Sequence, residues 1–387
     1  THTHTHTHTH DKYTNVAQRD KTAAPAAAAT TKGFFERKPM WWGMRNIAFV
    51  SITGSSISRH QIERAKEFDC IIVGSEWNKK ALTKQRVNNV EVLLPGVPSS
   101  LFRLATSRVA RAARSPSLPH LEGRFVVLAA GPLSFAGGAD IVVAAFKKFL
   151  QMYPESNAVL AVSWRLPLLP SPVAPAAGGG GAAAAAVASD VHIQGLVTPF
   201  PTDDQYAHQD HQKLSAEVKW LVQNQVPPGS ALNLGEPLAQ HFEKFAAAHA
   251  DVAVFPDRVA GVANTCALTA VACGVPTVVS GIPGHSDLIS IPSTSAALQA
   301  GQAATGLPAI HKVAAVKLPA ELAGKDKLFY RQVEVQAVAD AIAAVYLNRP
   351  AAEAAAQQAA RWVHKHRSWE SVDAKLVNLL GVEALGT

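Results

Sequence analysis

The sequence predicts an α/β protein in which parallel strands alternate with helices. Three short, strongly apolar runs, at 69–74, 125–131 and 251–255, have the length and β-branched content of buried strands. Stretches with apolar residues at every third or fourth position lie between such runs, as at 139–154. Strands separated by helical stretches are typical of βαβ units, whose strands pair in parallel.

The length and composition of the chain fit two globular domains. The chain has 387 residues, of which 48% are hydrophobic and 17% charged, and its formal net charge is +7. No nucleic-acid-binding motif accompanies this mild basic excess, so nucleic acid is not indicated as a partner beyond that charge. The chain also lacks an apolar run of about twenty residues, and we therefore predict no membrane span.

Cysteine usage bears on the compartment. The three cysteines, Cys70, Cys266 and Cys273, lie in apolar or helical contexts that favour buried, reduced thiols. The N-terminus lacks the basic-then-apolar pattern of a secretory signal. We therefore expect an intracellular, reducing location, with the cytoplasm as first choice and a cytoskeletal or organellar assembly as the alternative.

Residues 1–32 are expected to form a low-complexity, disordered arm. They begin with five Thr-His repeats and continue as a polar, alanine-rich stretch. The repeated histidines suit metal chelation, as in a purification tag, but a translated dinucleotide repeat explains them more simply. A second group of histidines and aspartates matches no metal-ligand spacing, so no metal site is predicted. Its members are His192, Asp203, Asp204, His208, Asp210 and His211.

Residues 33–102 are predicted to form part of a first α/β domain. Its strands are expected at 46–51, 69–74 and 90–94, and a serine suited to cap a helix precedes both intervening helices. A complete domain of this class needs about 100 to 200 residues, so we expect either that this half is truncated in the protein or that the chain is a fragment. An aromatic cluster expected to pack in a core precedes the strands. Its members are Phe34, Phe35, Trp41 and Trp42.

A basic, proline-containing linker at 103–122 leads to a second domain at 123–366. This domain contains an insert at 165–190 that is rich in proline, glycine and alanine, and we expect a flexible loop there. Residues 367–387 are predicted to be a closing helix and tail. The remaining predicted elements are strands at 158–164, 232–235 and 312–318 and helices at 215–225, 237–250, 334–346, 351–366 and 368–380.

The most informative stretch spans 251–287, DVAVFPDRVAGVANTCALTAVACGVPTVVSGIPGHSD. Pro256 ends its first strand, and Asn264 is placed to cap a helix at 265–273. A buried strand follows at 277–280. In open α/β sheets ligands bind beyond the carboxyl ends of the strands, where a loop before a helix N-terminus suits a phosphate group.

This stretch resembles the donor-sugar segment of GT-B-fold retaining glycosyltransferases, the family-4 or glycosyl transferases group 1 type. The resemblance implies a Rossmann-like C-terminal domain that binds a nucleotide-sugar. Residues 69–102 also resemble the end of that family's N-terminal domain. The shared residues of the donor segment are Phe255, Pro256, Arg258, Gly261, Asn264, Ala267, the run 272–277, Ser280, Gly284, His285 and the run 287–289.

The chain departs from the family where the chemistry needs charge. The resemblance places two glutamates on the sugar and ribose hydroxyls, and this chain has Ala260 and Thr269 there. It also places an Arg-Lys pair on the donor diphosphate, where this chain has Ala136 and Gly137. We therefore predict no catalytic residue. Positions expected to remain as remnants of nucleotide-sugar binding are Gly131, Arg258, Gly261, Asn264, Thr265, Gly284 and His285.

Three of these remnants also have structural explanations. In these explanations Arg258 lies on the surface, Asn264 caps a helix without contacting a ligand, and His285 hydrogen-bonds to the backbone.

Two functions of different classes follow. We predict a pseudo-glycosyltransferase that has lost catalysis, needs no cofactor and acts as a structural or interaction component of a larger protein assembly. The alternative is an active retaining hexosyltransferase that uses a nucleotide-sugar donor through altered contacts. A non-catalytic, weak nucleotide-sugar binder is the third interpretation. Phosphate-loop, dinucleotide-binding, nucleophile-elbow and zinc-peptidase motifs are absent, which excludes those enzyme classes.

Overall fold

The computed structural model describes residues 46–53, 57–104, 121–165, 224–227, 229–234, 239–291, 308–317 and 330–380. Several sequence predictions lie outside these residues. They are the N-terminal arm, the aromatic cluster at 34–42, most of the 103–122 linker, the 165–190 insert beyond its first residue, the histidine and aspartate group at 192–211 and most of the 215–225 helix.

The described residues alternate between strands and helices along most of the chain. The strands are β1 (Ile47–Val50), β2 (Cys70–Val73), β3 (Val90–Val92), β4 (Phe125–Pro132), β5 (Ala158–Arg165), β6 (Ala231–Asn233), β7 (Val252–Phe255), β8 (Thr277–Ser280), β9 (Ile310–Val313), β10 (Ala315–Lys317) and β11 (Arg331–Val333). The helices are α1 (Arg59–Ala65), α2 (Glu76–Thr83), α3 (Ala139–Met152), α4 (Ala239–His249), α5 (Thr265–Ala272), α6 (Ser286–Ile289), α7 (Val335–Leu347), α8 (Arg349–Arg367) and α9 (Trp369–Leu380).

A small sheet forms from the first three strands, in the order β1-β2-β3, and both pairings are parallel. The central strand β2 is buried along its whole length, as its run of apolar residues predicts. Ser58 and Ser75 accept hydrogen bonds from the first turns of α1 and α2, which confirms both predicted helix caps. These elements enclose a core of their own around Ile71 and Leu82.

A large parallel sheet carries the second half of the chain, with the strand order β6-β5-β4-β7-β8-β9. The chain starts in the middle at β4, moves outward through β5 and β6, and returns beside β4 to continue through β7, β8 and β9. The strand order therefore reverses between β4 and β7. In sheets of this kind, the crevice at the carboxyl ends of the two strands at the reversal is where ligands bind.

Helices cover both faces of the large sheet and bury two apolar clusters. On one face, α3 and α7 pack around Phe125, Phe146 and Phe149, all of them fully buried. On the other face, α5 packs between α4 and α8. Alternating strands and helices with both sheet faces covered confirm the predicted α/β class.

The region after β8 differs from the sequence prediction. We predicted one edge strand at 312–318, but β9 ends at Val313 and β10 begins at Ala315. Whereas β9 completes the large sheet, β10 leaves it and pairs antiparallel with β11, which the sequence did not predict. A local apolar pattern cannot show that a chain changes sheets, because the partner strand lies fourteen residues further on and is only three residues long.

The two sheets are joined where the chain leaves the small sheet and where it returns at its end. Val97 forms a parallel bridge with Ser368, in which Val97 N donates to Arg367 O (2.8 Å) and Trp369 N donates to Val97 O (3.0 Å). The Trp369 ring packs so closely on Gly96 that a Cβ at that glycine would lie 2.9 Å from the ring. The predicted closing helix is thus α9, which begins at this junction.

Candidate functional site

The candidate site lies at the carboxyl ends of β4 and β7, where the strand order reverses. Gly131 lies near the end of β4 with φ +123°, a conformation that side chains rarely adopt. A Cβ there would lie 3.8 Å from Asn264 Nδ2, across the crevice. Pro256 ends β7, and the loop 257–264 leads from it into α5. We call these residues, 257–264, the donor loop.

Arg258 is fully buried beneath the donor loop, so the expectation that it lies on the surface is wrong. Its guanidinium forms two hydrogen bonds of 2.6 Å to the two carboxylate oxygens of Asp140, on the first turn of α3. It also donates to Phe135 O (2.8 Å) and lies 3.9 Å above the Phe135 ring. A charge so deeply buried needs such a partner, and this pairing holds the donor loop to α3.

Asn264 caps α5, as the sequence predicted. Its Oδ1 accepts from the backbone N–H groups of Cys266 (2.9 Å) and Ala267 (3.4 Å). Its Nδ2 donates to Asp257 Oδ2 at 3.0 Å. Both ends of the side-chain amide are therefore hydrogen-bonded within the protein, at the N-terminus of α5. Thr265 follows as the exposed first residue of α5.

His285 is fully buried behind the donor loop. Its Nδ1 lies 3.0 Å from Ser280 O, and because a carbonyl oxygen can only accept, Nδ1 carries the proton and donates. Its Nε2 lies 3.1 Å from Asp257 Oδ2, outside hydrogen-bonding geometry. The backbone contact is the structural role that the sequence suggested for this histidine.

Ser280, His285 and Asp257 thus meet, but they do not form a nucleophilic site. Ser280 Oγ donates to Asp257 O (2.5 Å), so the hydroxyl proton is already engaged by the backbone. All three side chains are buried, at 0%, 0% and 6% exposure. A serine nucleophile must reach its substrate, and this one lies in the protein interior.

The four positions at which the chain lacks the expected charges are all partly exposed, and other backbone groups lie close to three of them. Ala136 O accepts from Arg258 N at 2.8 Å. A Cβ on Gly137 would lie 2.7 Å from Pro132 O, so the backbone already fills the space in which a lysine side chain would begin. A Cβ on Gly284 would overlap Ala260 O. Thr269 is half-buried in α5.

A small cleft of about 90 Å³ remains between the donor loop and the small sheet. Arg331, at the start of β11, contributes the positive charge in its lining. Arg331 N donates to Arg258 O (2.8 Å), which fixes this residue beside the donor loop. The sequence analysis missed Arg331 because only the unpredicted β10–β11 pairing brings it here. The full lining is Thr53, Trp77, Val259, Ala260, Ile282, Pro283 and Arg331.

Asp287, at the end of the informative stretch, faces the small sheet. Its Oδ2 accepts from Glu76 N at 3.1 Å. Burial raises the pKa of the Asp287 carboxyl above its ordinary value, while that N–H and the Arg367 guanidinium oppose the shift. Arg367 also donates to Asp287 O (3.1 Å). This carboxyl joins the two sheets and does not face the cleft.

The described residues contain neither a metal-binding cluster nor a helix that could span a membrane. Among the described residues, no group of histidine, cysteine or acidic side chains is arranged to hold a metal ion. Within the same part of the chain, none of the helices combines the length and the apolar character that crossing a bilayer requires.

Comparison of the sequence with family models and with curated proteins gives no match. Solved structures do match. Anabaena HepE in complex with UDP and glucose aligns with a TM-score of 0.57 and 15% identity over 87% of this chain and 71% of HepE. Sucrose-phosphate synthase from Thermosynechococcus elongatus gives 0.53 and 16% over 87% and 67% of the two chains. A UDP-forming trehalose-phosphate synthase from Burkholderia xenovorans gives 0.53 and 14% over 88% and 69%.

These similar structures are GT-B glycosyltransferases, and at such low identity they show the fold alone. The chain has the GT-B-type, Rossmann-like α/β fold that the sequence analysis predicted.

Proposed function

We propose that this protein is a non-catalytic relative of the family-4, or group 1, glycosyltransferases and acts as a structural or interaction component of a larger protein assembly. In this proposal the GT-B scaffold is retained and the donor chemistry is lost.

The environment of Arg258 is the observation that carries the proposal. Arg258 is the cation of the donor loop, and both of its terminal nitrogens are bound to Asp140 in the interior. Releasing it to a diphosphate would leave the buried Asp140 carboxylate without its partner, at a cost of about 3 to 5 kcal/mol. Arg258 therefore supports the fold and offers no charge to a ligand.

The neutral positions around the donor loop support the same conclusion. Ala136, Gly137, Ala260 and Thr269 can supply no charge-assisted hydrogen bond to a nucleotide-sugar. Each such bond contributes about 1.5 to 3 kcal/mol, and every 1.4 kcal/mol changes a dissociation constant about tenfold. The loss of three or four of them weakens binding by several orders of magnitude.

The small size of the cleft supports the loss of donor binding. It measures about 90 Å³, whereas sites for small ligands and cofactors occupy about 300 to 1,000 Å³.

The edge of the small sheet supports the role in an assembly. Within the described residues, β1 pairs with β2 on one side and with no strand on the other. Its sequence, Ile-Ala-Phe-Val, contains no charge or proline, and Phe49 is 56% exposed. An unguarded edge strand of this kind is a template for a strand from another chain.

Isothermal titration calorimetry with UDP-glucose and GDP-glucose tests the loss of the donor site. We expect no binding, or a dissociation constant above about 1 mM, with the Ala260→Glu, Thr269→Glu double variant behaving like the wild type. Micromolar binding by the wild type would contradict the proposal. The role in an assembly is tested by gel filtration of an extract of the source cells, where elution at the 40.9 kDa of the single chain would count against it.

One observation favours the second candidate, an active retaining hexosyltransferase. The Arg331 side chain lines the cleft without an ion pair or hydrogen bond to another described residue, and it is a cation that a diphosphate could meet. If the titration gives micromolar binding and Arg331→Ala abolishes it, this candidate replaces the first. Arg349→Ala is the matched control, because Arg349 lies over the ring of Phe125, the first residue of β4, and does not line the cleft.

A further inference from the structure

Two buried side chains at the N-terminus of α2, the N-cap Ser75 and Asn78, reach from the small-sheet region to the donor loop. Asn78 is 0% exposed, and its Nδ2 donates to Gly261 O at 2.7 Å. Ser75 Oγ donates to the same carbonyl at 2.7 Å while accepting from Asn78 N at 3.0 Å. Gly261 O thus accepts two hydrogen bonds from a segment more than 180 residues earlier in the chain.

The orientation of the Asn78 amide is fixed by its partners. Oδ1 accepts from Ile52 N at 3.1 Å, and Nδ2 faces the Gly261 carbonyl. A flipped amide would place Oδ1 against that carbonyl and Nδ2 against the Ile52 N–H, losing both bonds. Asn78 therefore uses both ends of its amide, one to hold Ile52 beside the small sheet and the other to reach the donor loop.

The backbones fit together as closely as the side chains. A Cβ on Gly261 would overlap Ile52 O, so this position accepts only glycine while the contact is closed. A Cβ on Gly74 would lie 2.9 Å from both γ-carbons of Val262. A third connection, from Glu76 N to Asp287 Oδ2 (3.1 Å), lies beside this contact.

We propose that Asn78, Ser75 and Gly261 form a ligand-independent latch that keeps the small sheet closed on the donor loop. A closed contact with satisfied polar groups and no space at Gly261 needs no nucleotide to hold it. The latch holds the donor loop against the small sheet, which keeps the cleft between them small. It does not depend on the proposed function, since it concerns the closed arrangement and not what the cleft binds.

Hydrogen–deuterium exchange in the absence of any nucleotide tests the latch. Gly261→Ala forces the two surfaces apart, and Asn78→Asp keeps the acceptor for Ile52 N but places an oxygen against Gly261 O. In both variants we expect the peptides 74–78 and 258–263 to exchange at least about tenfold faster than in the wild type. The buried strand peptide 125–131 serves as the internal reference and should stay protected.

Asn88→Asp is the matched control, because Asn88 is an exposed residue of the same small sheet region and undergoes the same chemical change. It should leave the exchange of both peptides unchanged. The latch is wrong if Gly261→Ala and Asn78→Asp keep wild-type exchange at 74–78 and 258–263, or if Asn88→Asp accelerates it equally. If one variant also exchanges faster at 125–131, it is destabilised as a whole, and the exchange of the other variant then tests the latch. The exchange experiment contains no nucleotide and tests only the latch, whereas the titration with nucleotide-sugars tests the proposed function. Either one can therefore be refuted without the other.

Discussion

The polar groups beneath the donor loop and those on the cleft above it differ sharply. Beneath the loop, Arg258 has two bonds to Asp140, and His285 donates to the Ser280 carbonyl. On the cleft side, Thr53 and Arg331 are the polar side chains among seven lining residues. The residues that hold the loop in shape are well connected, whereas those that would hold a ligand are few.

This difference is the one expected if the fold has outlasted a binding site, as we propose. Buried polar groups must keep their partners, because an unpaired one costs several kcal/mol of stability. Groups on a cleft surface are solvated when no ligand is present, so replacing them with alanine costs the fold little. A chain that no longer binds a donor is expected to lose the second set and keep the first.

The largest effect is expected from breaking the pair beneath the loop. Asp140→Asn leaves the fully buried Arg258 guanidinium without a counter-charge, and we expect the free energy of unfolding to fall by about 3 to 5 kcal/mol. Urea unfolding followed by circular dichroism measures it.

The matched control for this change is Glu91→Gln, which removes an ion pair with Lys79 (3.2 Å) whose side chains are 49% and 39% exposed. Exposed pairs contribute little, so the control should change stability by less than about 0.5 kcal/mol. Similar small losses in both variants would contradict the structural role of Arg258.

A smaller effect is expected at the helix cap. Asn264→Ala removes the acceptor for the Cys266 and Ala267 N–H groups and the donor to Asp257, and we expect a loss of about 1 to 2 kcal/mol. Thr265→Ala, at the exposed neighbouring position, should leave the unfolding midpoint almost unchanged. No loss in Asn264→Ala, or a loss no larger than that in Thr265→Ala, would contradict the capping role of Asn264.

The sequence predicted what depends on local pattern. The strand ended by Pro256, the caps at Ser75 and Asn264 and the backbone partner of His285 all follow from neighbouring residues. The ion pair of Arg258 does not, because Asp140 lies 118 positions away and α3 brings it there only in the folded chain. The latch at Asn78 could not be predicted from the sequence either, since its partner Gly261 lies in the donor loop, 183 positions further along the chain.

The smallest expected effect concerns His311, a buried histidine whose Nε2 has no hydrogen-bond partner among the described residues. Burial lowers the pKa of His311 below its ordinary value, and His364 shifts in the same direction, also through burial. Because the unfolded chain then binds more protons below about pH 6.5, stability should fall as the pH is lowered from about 7.5 to 5.

The slope from one such histidine is at most about 1.4 kcal/mol per pH unit. His311→Asn should remove the contribution of His311 to this slope and leave the contribution of His364 unchanged. Urea unfolding at several pH values measures this, and an unchanged slope in the variant would show that His311 is protonated equally in both states.

The central claim is that the donor site no longer binds a nucleotide-sugar. It is tested most directly by the effect of a donor on stability. A ligand that binds only the folded chain raises the free energy of unfolding according to its concentration and affinity, so about 1 mM UDP-glucose and a dissociation constant of about 10 μM would add about 2.7 kcal/mol. We predict a change below about 0.5 kcal/mol in the wild type at that concentration. Stabilisation of about 2 kcal/mol or more would contradict the account and show that the cleft still binds a nucleotide-sugar.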